Sequence, residues 1–454
     1  MVDEAPAIEP PVSLRRIPLR TNLWLLPLLL SVATVGLFAL TRALDRLVES
    51  GDFWLPSWLV ARSIDDAQVL LAALLGVNGT VIAFVFSTTM VTITLASSQL
   101  GPRLIRRFMR DRATQATIGI FMSAFLFTLL TLASLRSDLG DEGVPLVSMA
   151  VAEVVTLLAF GSLIYYVHHV ASTVQVPSVV AGVAGDVRRS IRERMSQLER
   201  IVPPWEKDDV DVARALVEAD GVIVVAPESG YVQAIDHDRV LVAAQRHGAV
   251  VQFHHRPGQF VIRGDALATV SPAAAGAAVA PVIGRRTYIG NNRTISQDIE
   301  FAIAQVVEIC LRALSPAIND TFTALTCIDW LGAGLTSIAR MRASTGGYRA
   351  LDGKVRLVEP VVRFDRVVKT AFDLIRQSGQ YSPAVQIRLL HTFRLMAPAL
   401  DAEHRPALLA QAELVRHAAE RANLAPGDLA DVIKAHGRAL RALEGDDEES
   451  LGKD

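Results

Sequence analysis

This chain of 454 residues has no P-loop, no GxGxxG following a strand, no HExxH, no GxSxG and no CxxC pair. Those absences lean against an enzyme and leave no residue to name as catalytic. Cysteine is scarce. Cys310 and Cys327 are the two in the sequence. They lack metal-type spacing and read as small buried hydrophobes of a reducing compartment. The net charge is only -2, so no basic excess points to nucleic acid. The opening residues are acidic and proline-rich, and no small-residue cleavage site follows the first apolar run. No cleavable signal peptide is therefore expected.

What the chain does have is apolar sequence. Hydrophobic residues make up 51% of it, which is too much for an ordinary soluble protein. Apolar runs predict four transmembrane helices at about residues 22–42, 68–98, 115–136 and 145–169, within a membrane domain of residues 21–172. Trp24, Tyr165 and Tyr166 fit interfacial anchors. Residues 1–20, with Pro6, Pro10, Pro11 and Pro18, read as a leader without regular structure.

Arginines set the orientation. Arg15, Arg16 and Arg20 precede the first span. Arg103, Arg106, Arg107, Arg110 and Arg112 separate the second from the third, and Arg188, Arg189, Arg192 and Arg194 follow the fourth. The other two loops are mixed or acidic, with Arg42, Asp45, Arg46, Glu49 and Asp52, then Arg136, Asp138, Asp141 and Glu142. The positive-inside rule then places both termini in the cytoplasm.

The second span is rich in hydroxyls. At about 100° per residue, Thr80, Ser87, Thr94 and Ser98 share one narrow seam. Such a seam can line a polar pathway for an ion or small solute. Equally, Ser and Thr in membrane helices bond their own backbone or let helices approach closely. Glu153 is the acid placed inside the fourth span, a costly position unless it is protonated, paired or wet. His168 and His169 end the same helix. The arginine cuff after the second span suits anionic lipid headgroups, or an anion-selecting ring in an oligomer.

Residues 173–220 read as connecting helices. Residues 221–272 switch to a strand rhythm (GVIVVAPESG, YVQAID, RVLVAAQRHG, AVVQFHHRPG, QFVIRGDALATV), which predicts a small β-module. It looks like the barrel-sandwich hybrid of lipoyl and biotinyl domains. No lysine lies between Lys207 and Lys354, so no carried cofactor is expected. His237, His247, His254 and His255 fall here. His254 and His255 would point to opposite faces of a strand, against a shared metal. Residues 290–443 predict an all-α domain, and 444–454 an acidic tail. In it Asp298, Glu300, Glu308, Asn319 and Asp320 could converge on a ligand or cation, although helix caps and solvated faces explain each one separately.

Three pieces, SSQLGPRLIRRFMRD, PGQFVIRGDAL and RTISQDIEFAIAQVVEICLRALSPAINDTFTAL, resemble a bacterial family of predicted membrane proteins, domain of unknown function 2254. The resemblance runs from about Thr21 to beyond Arg394 and implies no activity. One reading is therefore a homo-oligomeric channel or transport-like protein with the second span on a shared axis. The other is a non-conducting sensor or scaffold whose cytoplasmic domain binds a partner or small ligand. Neither needs a metal or cofactor.

Overall fold

The computed structural model describes residues 7–8, 24–49, 63–100, 111–135, 144–173, 182, 185, 202–203, 206–295, 297–340 and 345–445. The chain divides into two compact units, residues 16–178 and residues 1–15 with 179–454.

The first unit is built from α1 (Leu25–Glu49), α2 (Ile64–Leu100), α3 (Arg112–Ala133) and α4 (Leu146–Thr173). At about 1.5 Å per residue, α2 is nearly 56 Å long, more than the roughly 30 Å of a bilayer's hydrocarbon. Its start, with Asp65 and Asp66, suits the polar side of that boundary. Helix α1 runs on through Arg42, Asp45 and Glu49, residues that read as loop from sequence. The core is aromatic: Phe121 and Phe127 are fully buried, and Phe38 meets Phe127 edge-on at 6.0 Å. Gly119 lets α3 approach α1, since a Cβ there would lie 2.6 Å from Leu30 Cδ1 and 3.1 Å from Pro27 Cα.

In the second unit, helix α5 (Lys207–Ala219) leads into two sheets. The larger has the order β1-β2-β6-β4-β9-β8, from Ala7–Ile8, Val222–Val225, Ala266–Ser271, Val250–Phe253, Val355–Val358 and Gly347–Arg349. The smaller is β5-β3-β7, from Phe260–Val261, Gly230–Ile235 and Thr287–Gly290. Both share one core with α6 (His237–Arg246) and α7 (Gly276–Arg286), around Phe253, Leu267 and Ile283.

Three expectations change here. The RVLVAAQRHG segment lies largely in helix α6, not in a strand. Asp236 caps it by accepting from Arg239 N at 3.2 Å, and its buried residues His237, Val240, Leu241 and Ala244 recur at helical spacing. The sheets also recruit strands from outside residues 221–272, including Ala7–Ile8 in the supposedly structureless leader. Finally, the β8–β9 hairpin interrupts the C-terminal helices, with Gly346 at φ +78 before it.

The helical part comprises α8 (Ile299–Ala313), α9 (Thr321–Ala339), α10 (Phe364–Ser378), α11 (Pro383–Met396), α12 (Arg405–Arg421) and α13 (Pro426–Glu444). By length and composition five described helices could cross a membrane: α1 to α4, and α9. Helix α9 buries Cys327, Ile328, Leu331 and Leu335. Gly332 sits so near α11 that a Cβ would fall 2.3 Å from Thr392 Cγ2.

Candidate functional site

Helix α2 has two polar faces, and they point in opposite directions. Leu71, Asn78, Val85 and Thr89 recur at helical spacing and are buried. Asn78 Nδ2 donates to Thr156 Oγ1 of α4 at 3.0 Å. Eleven residues on, the Thr89 hydroxyl lies 2.7 Å from the Tyr166 hydroxyl of α4 and donates to Val85 O at 2.7 Å. Tyr166 also donates to Val85 O at 3.3 Å. These contacts fix the register of α2 against α4.

The predicted seam lies on the other side. Thr80, Ser87 and Thr94 are all exposed in the single chain, half a helical turn from the Asn78–Thr89 face. The Thr80 hydroxyl donates to Gly76 O and that of Thr94 to Met90 O, each at 2.9 Å. Gly76 is open too, with nothing within 4 Å of a Cβ placed there. Ser98 is in α2, with its side chain outside the described residues.

Glu153 sits two turns into α4 and is half-buried, next to the inward stripe of Met149, Ala152 and Thr156. The deeper acid is Asp45, 2% exposed, which sequence reasoning assigned to a loop. Its carboxylate accepts from Val147 N at 2.7 Å, Ser148 N at 3.4 Å and Ser148 Oγ at 2.5 Å. Ser148 Oγ also donates to Thr41 Oγ1 at 3.0 Å, and Arg42 lies 3.6 Å from Asp45. The first turn of any helix leaves backbone N–H groups unpaired. Here a carboxylate from α1 supplies the cap for α4. The signal was the spacing of Thr41 and Asp45 one turn apart, just beyond the first apolar run.

At the other end of α4, His169 Nε2 lies 2.9 Å from Asp111, which also caps α3 through Thr114 N and its hydroxyl. Tyr165 stacks on His169 at 5.8 Å. Of the arginine cuff, Arg103, Arg106, Arg107 and Arg110 lie outside the described residues, while Arg112 is exposed at the start of α3.

The polar set proposed on the C-terminal helices does not converge. Asp298 caps α8, accepting from Phe301 N at 3.0 Å, and pairs with Arg293 at 2.7 Å. Burial raises its carboxyl above the ordinary range, against the pull of Arg293 and Arg256. Gly258, at φ +94, leaves the room this carboxylate fills, since a Cβ would fall 2.1 Å from Asp298 Oδ2. Asp320 caps α9, accepting from Thr323 N at 3.1 Å, with exposed Asn319 at φ 48 before it. Helix α8 separates these two caps by roughly 22 Å at its 1.5 Å rise. Glu308 is half-buried between them.

A cluster does form around Glu300, one of those five, with partners that no local pattern in the sequence marks. Glu300 is 6% exposed and accepts from Arg256 at 2.6 Å and from Arg366 at 2.9 Å, partners 44 and 66 residues away. A second buried group joins His237, Glu359 and Tyr348. His237 Nε2 is 3.0 Å from Glu359, whose other oxygen accepts from Tyr348 at 2.5 Å. The two rings stack at 4.8 Å. His254 instead meets Thr269 Oγ1 at 2.7 Å. Cys310 and Cys327 are free and buried, and a hydrogen bond with Cys327, then burial, push the Cys310 thiol up. Among the described residues no three His, Cys, Asp or Glu side chains group as metal ligands.

Comparison with known proteins gives one consistent result. The family described as "Predicted membrane protein (DUF2254)" matches residues 20–394. Uncharacterized proteins of Mycobacterium bovis and of Mycobacterium tuberculosis are each 30% identical over 392 residues, covering 84% of this chain and 73% of the relative. No solved structure matches. With most of its length covered by that family, the chain belongs to the DUF2254 family of predicted membrane proteins.

Proposed function

We propose that the protein is a homo-oligomeric, channel-like or transport-like protein of the bacterial inner membrane, in which α2 faces a shared axis. The observation that carries this is the direction of the seam. Thr80, Ser87 and Thr94 turn away from the chain's own helices. The interior of the four-helix unit is filled by Phe121, Phe127, Met149 and Tyr166. A polar pathway therefore belongs between copies, where the seams of several α2 helices enclose it. The arginine segment then meets anionic lipid. Glu153, on α4 and on the far side of α2 from the seam, has no place in that pathway.

Four spans with both termini in the cytoplasm agree with the arginine distribution. A second support is independent of charge. Ala7–Ile8 pairs with Ile223–Val224, which supports an even number of crossings between them. Helix α9 packs among α8, α10 and α11, and its apolar face is used there.

One observation favours the alternative, a non-conducting sensor or scaffold. The Thr80 and Thr94 hydroxyls bond their own helix and need no water. Cysteine accessibility in liposomes separates the readings. Ser87→Cys and Thr94→Cys should react with a small water-soluble thiol reagent in the assembled protein. Phe86→Cys, exposed but off the seam, should not. Unreactive seam positions would leave the scaffold standing, and equal reaction at all three would dissolve the seam.

A further inference from the structure

Strand β2 ends the larger sheet but for two residues of the N-terminal segment. Its sequence, Val222-Ile223-Val224-Val225, is β-branched throughout, and its far side pairs with β6 at four positions. A bare edge of that composition invites another strand. Among the described residues, Ala7 and Ile8 cover it, in parallel with Ile223 and Val224.

The covering ladder is built short. Pro6 precedes it, and Pro10 and Pro11 follow one residue later. Proline has no N–H to donate, so the ladder cannot lengthen past Glu9. Parallel pairing is also slightly weaker per residue than antiparallel pairing. We propose that the outer edge of β2 is a peptide-binding edge of the β-augmentation kind, and that its resident is the chain's own Ala7–Ile8 strand, held weakly enough to leave. The partner chemistry is an extended peptide whose few available N–H groups are bounded by prolines and flanked by acids, here Glu4 and Glu9. The leader thereby shields the edge from a second copy until it is released. This inference does not depend on conduction.

The test uses the full chain in detergent, carrying Ala7→Cys and Ile223→Cys. Native Cys310 and Cys327 are fully buried and do not compete. Mild oxidation should join the two introduced thiols within one chain, at monomer size on a non-reducing gel. An excess of free peptide of residues 1–12 should slow that bond several-fold. Deleting residues 2–14 should speed hydrogen exchange in residues 222–225 by about tenfold or enlarge the particle, and the added peptide should reverse either change. A variant that unfolds at the wild-type temperature yet forms no bond, or forms it only between chains, overturns the proposal. So does a bond indifferent to the peptide, or exchange unchanged by the deletion.

Discussion

In residues 16–178, buried polar side chains join neighbouring helices in pairs: Asp45 with the first turn of α4 at Val147 and Ser148, Asn78 with Thr156, Thr89 with Tyr166. In the C-terminal unit buried charges find charged partners, Arg256 with Glu300, which exposed Arg366 also reaches, and Asp298 with partly exposed Arg293. The environments explain the contrast. Where lipid surrounds the helices, each helix satisfies its own backbone, and a charge must be capped or paired at a helix end. Asp45 and Asp111 sit at such ends. In the sheet-bearing unit, segments far apart in sequence must be held together, and arginine forks do so with carboxylates. Polar contacts set register in the first unit and join segments in the second.

Substitutions can sharpen or break that contrast. Glu300→Ala should have the largest effect. It strands the buried Arg256 guanidinium and should cost about 3–5 kcal/mol of stability. The double change Arg256→Met with Glu300→Leu should recover much of this in denaturant unfolding, and a double variant as weak as the single one would refute the assignment. Asp45→Ala comes next. Leaving Val147 N and the Ser148 hydroxyl without their acceptor should cost about 1–3 kcal/mol, read as thermal stability in detergent, with Asp45→Asn milder. Thr89→Val should cost only about 0.6 kcal/mol, the usual worth of one hydrogen bond between membrane helices. If Thr89→Val proved the costlier of these two, the distinction between capped charge and single contact would fail.

The smallest effect is a pH dependence. Burial, and then the neighbouring His255, hold His254 below its ordinary 6.5. The unfolded chain therefore takes up this proton first as pH falls. Stability should drop as pH falls below about 6.5 and level off beneath the folded value. His254→Gln should flatten that part of the profile between pH 8 and 5, measured as unfolding midpoints.

Much of the architecture was legible because hydrophobic runs are local. They marked long apolar helices, a small sheet region and a helical C-terminal part. Direction was not legible. Helical periodicity grouped Thr80, Ser87 and Thr94, yet it cannot say that α4 packs on the side of Asn78 and Thr89. Valine-rich composition masked the helix at His237–Arg246, although Asp236 and the spacing of Val240, Leu241 and Ala244 carried the signal. The Arg256–Glu300 pair spans 44 residues, and no local pattern encodes it. Capping, one of the two readings the sequence offers for Asp298 and Asp320, is the role each carboxylate has here.

The decisive measurement is ion flux through purified protein in liposomes, with particle size taken on the same preparation. The seam reading expects an assembled ring that conducts, and a Ser87→Leu ring of equal size that does not, because a bulky apolar group dewets a narrow polar path. Helix packing alone would instead cost roughly 1–3 kcal/mol and show as lost assembly. An assembled wild-type ring passing no ion under any applied voltage, pH or tension would contradict the pathway. A Ser87→Leu ring conducting unchanged would remove the seam from it.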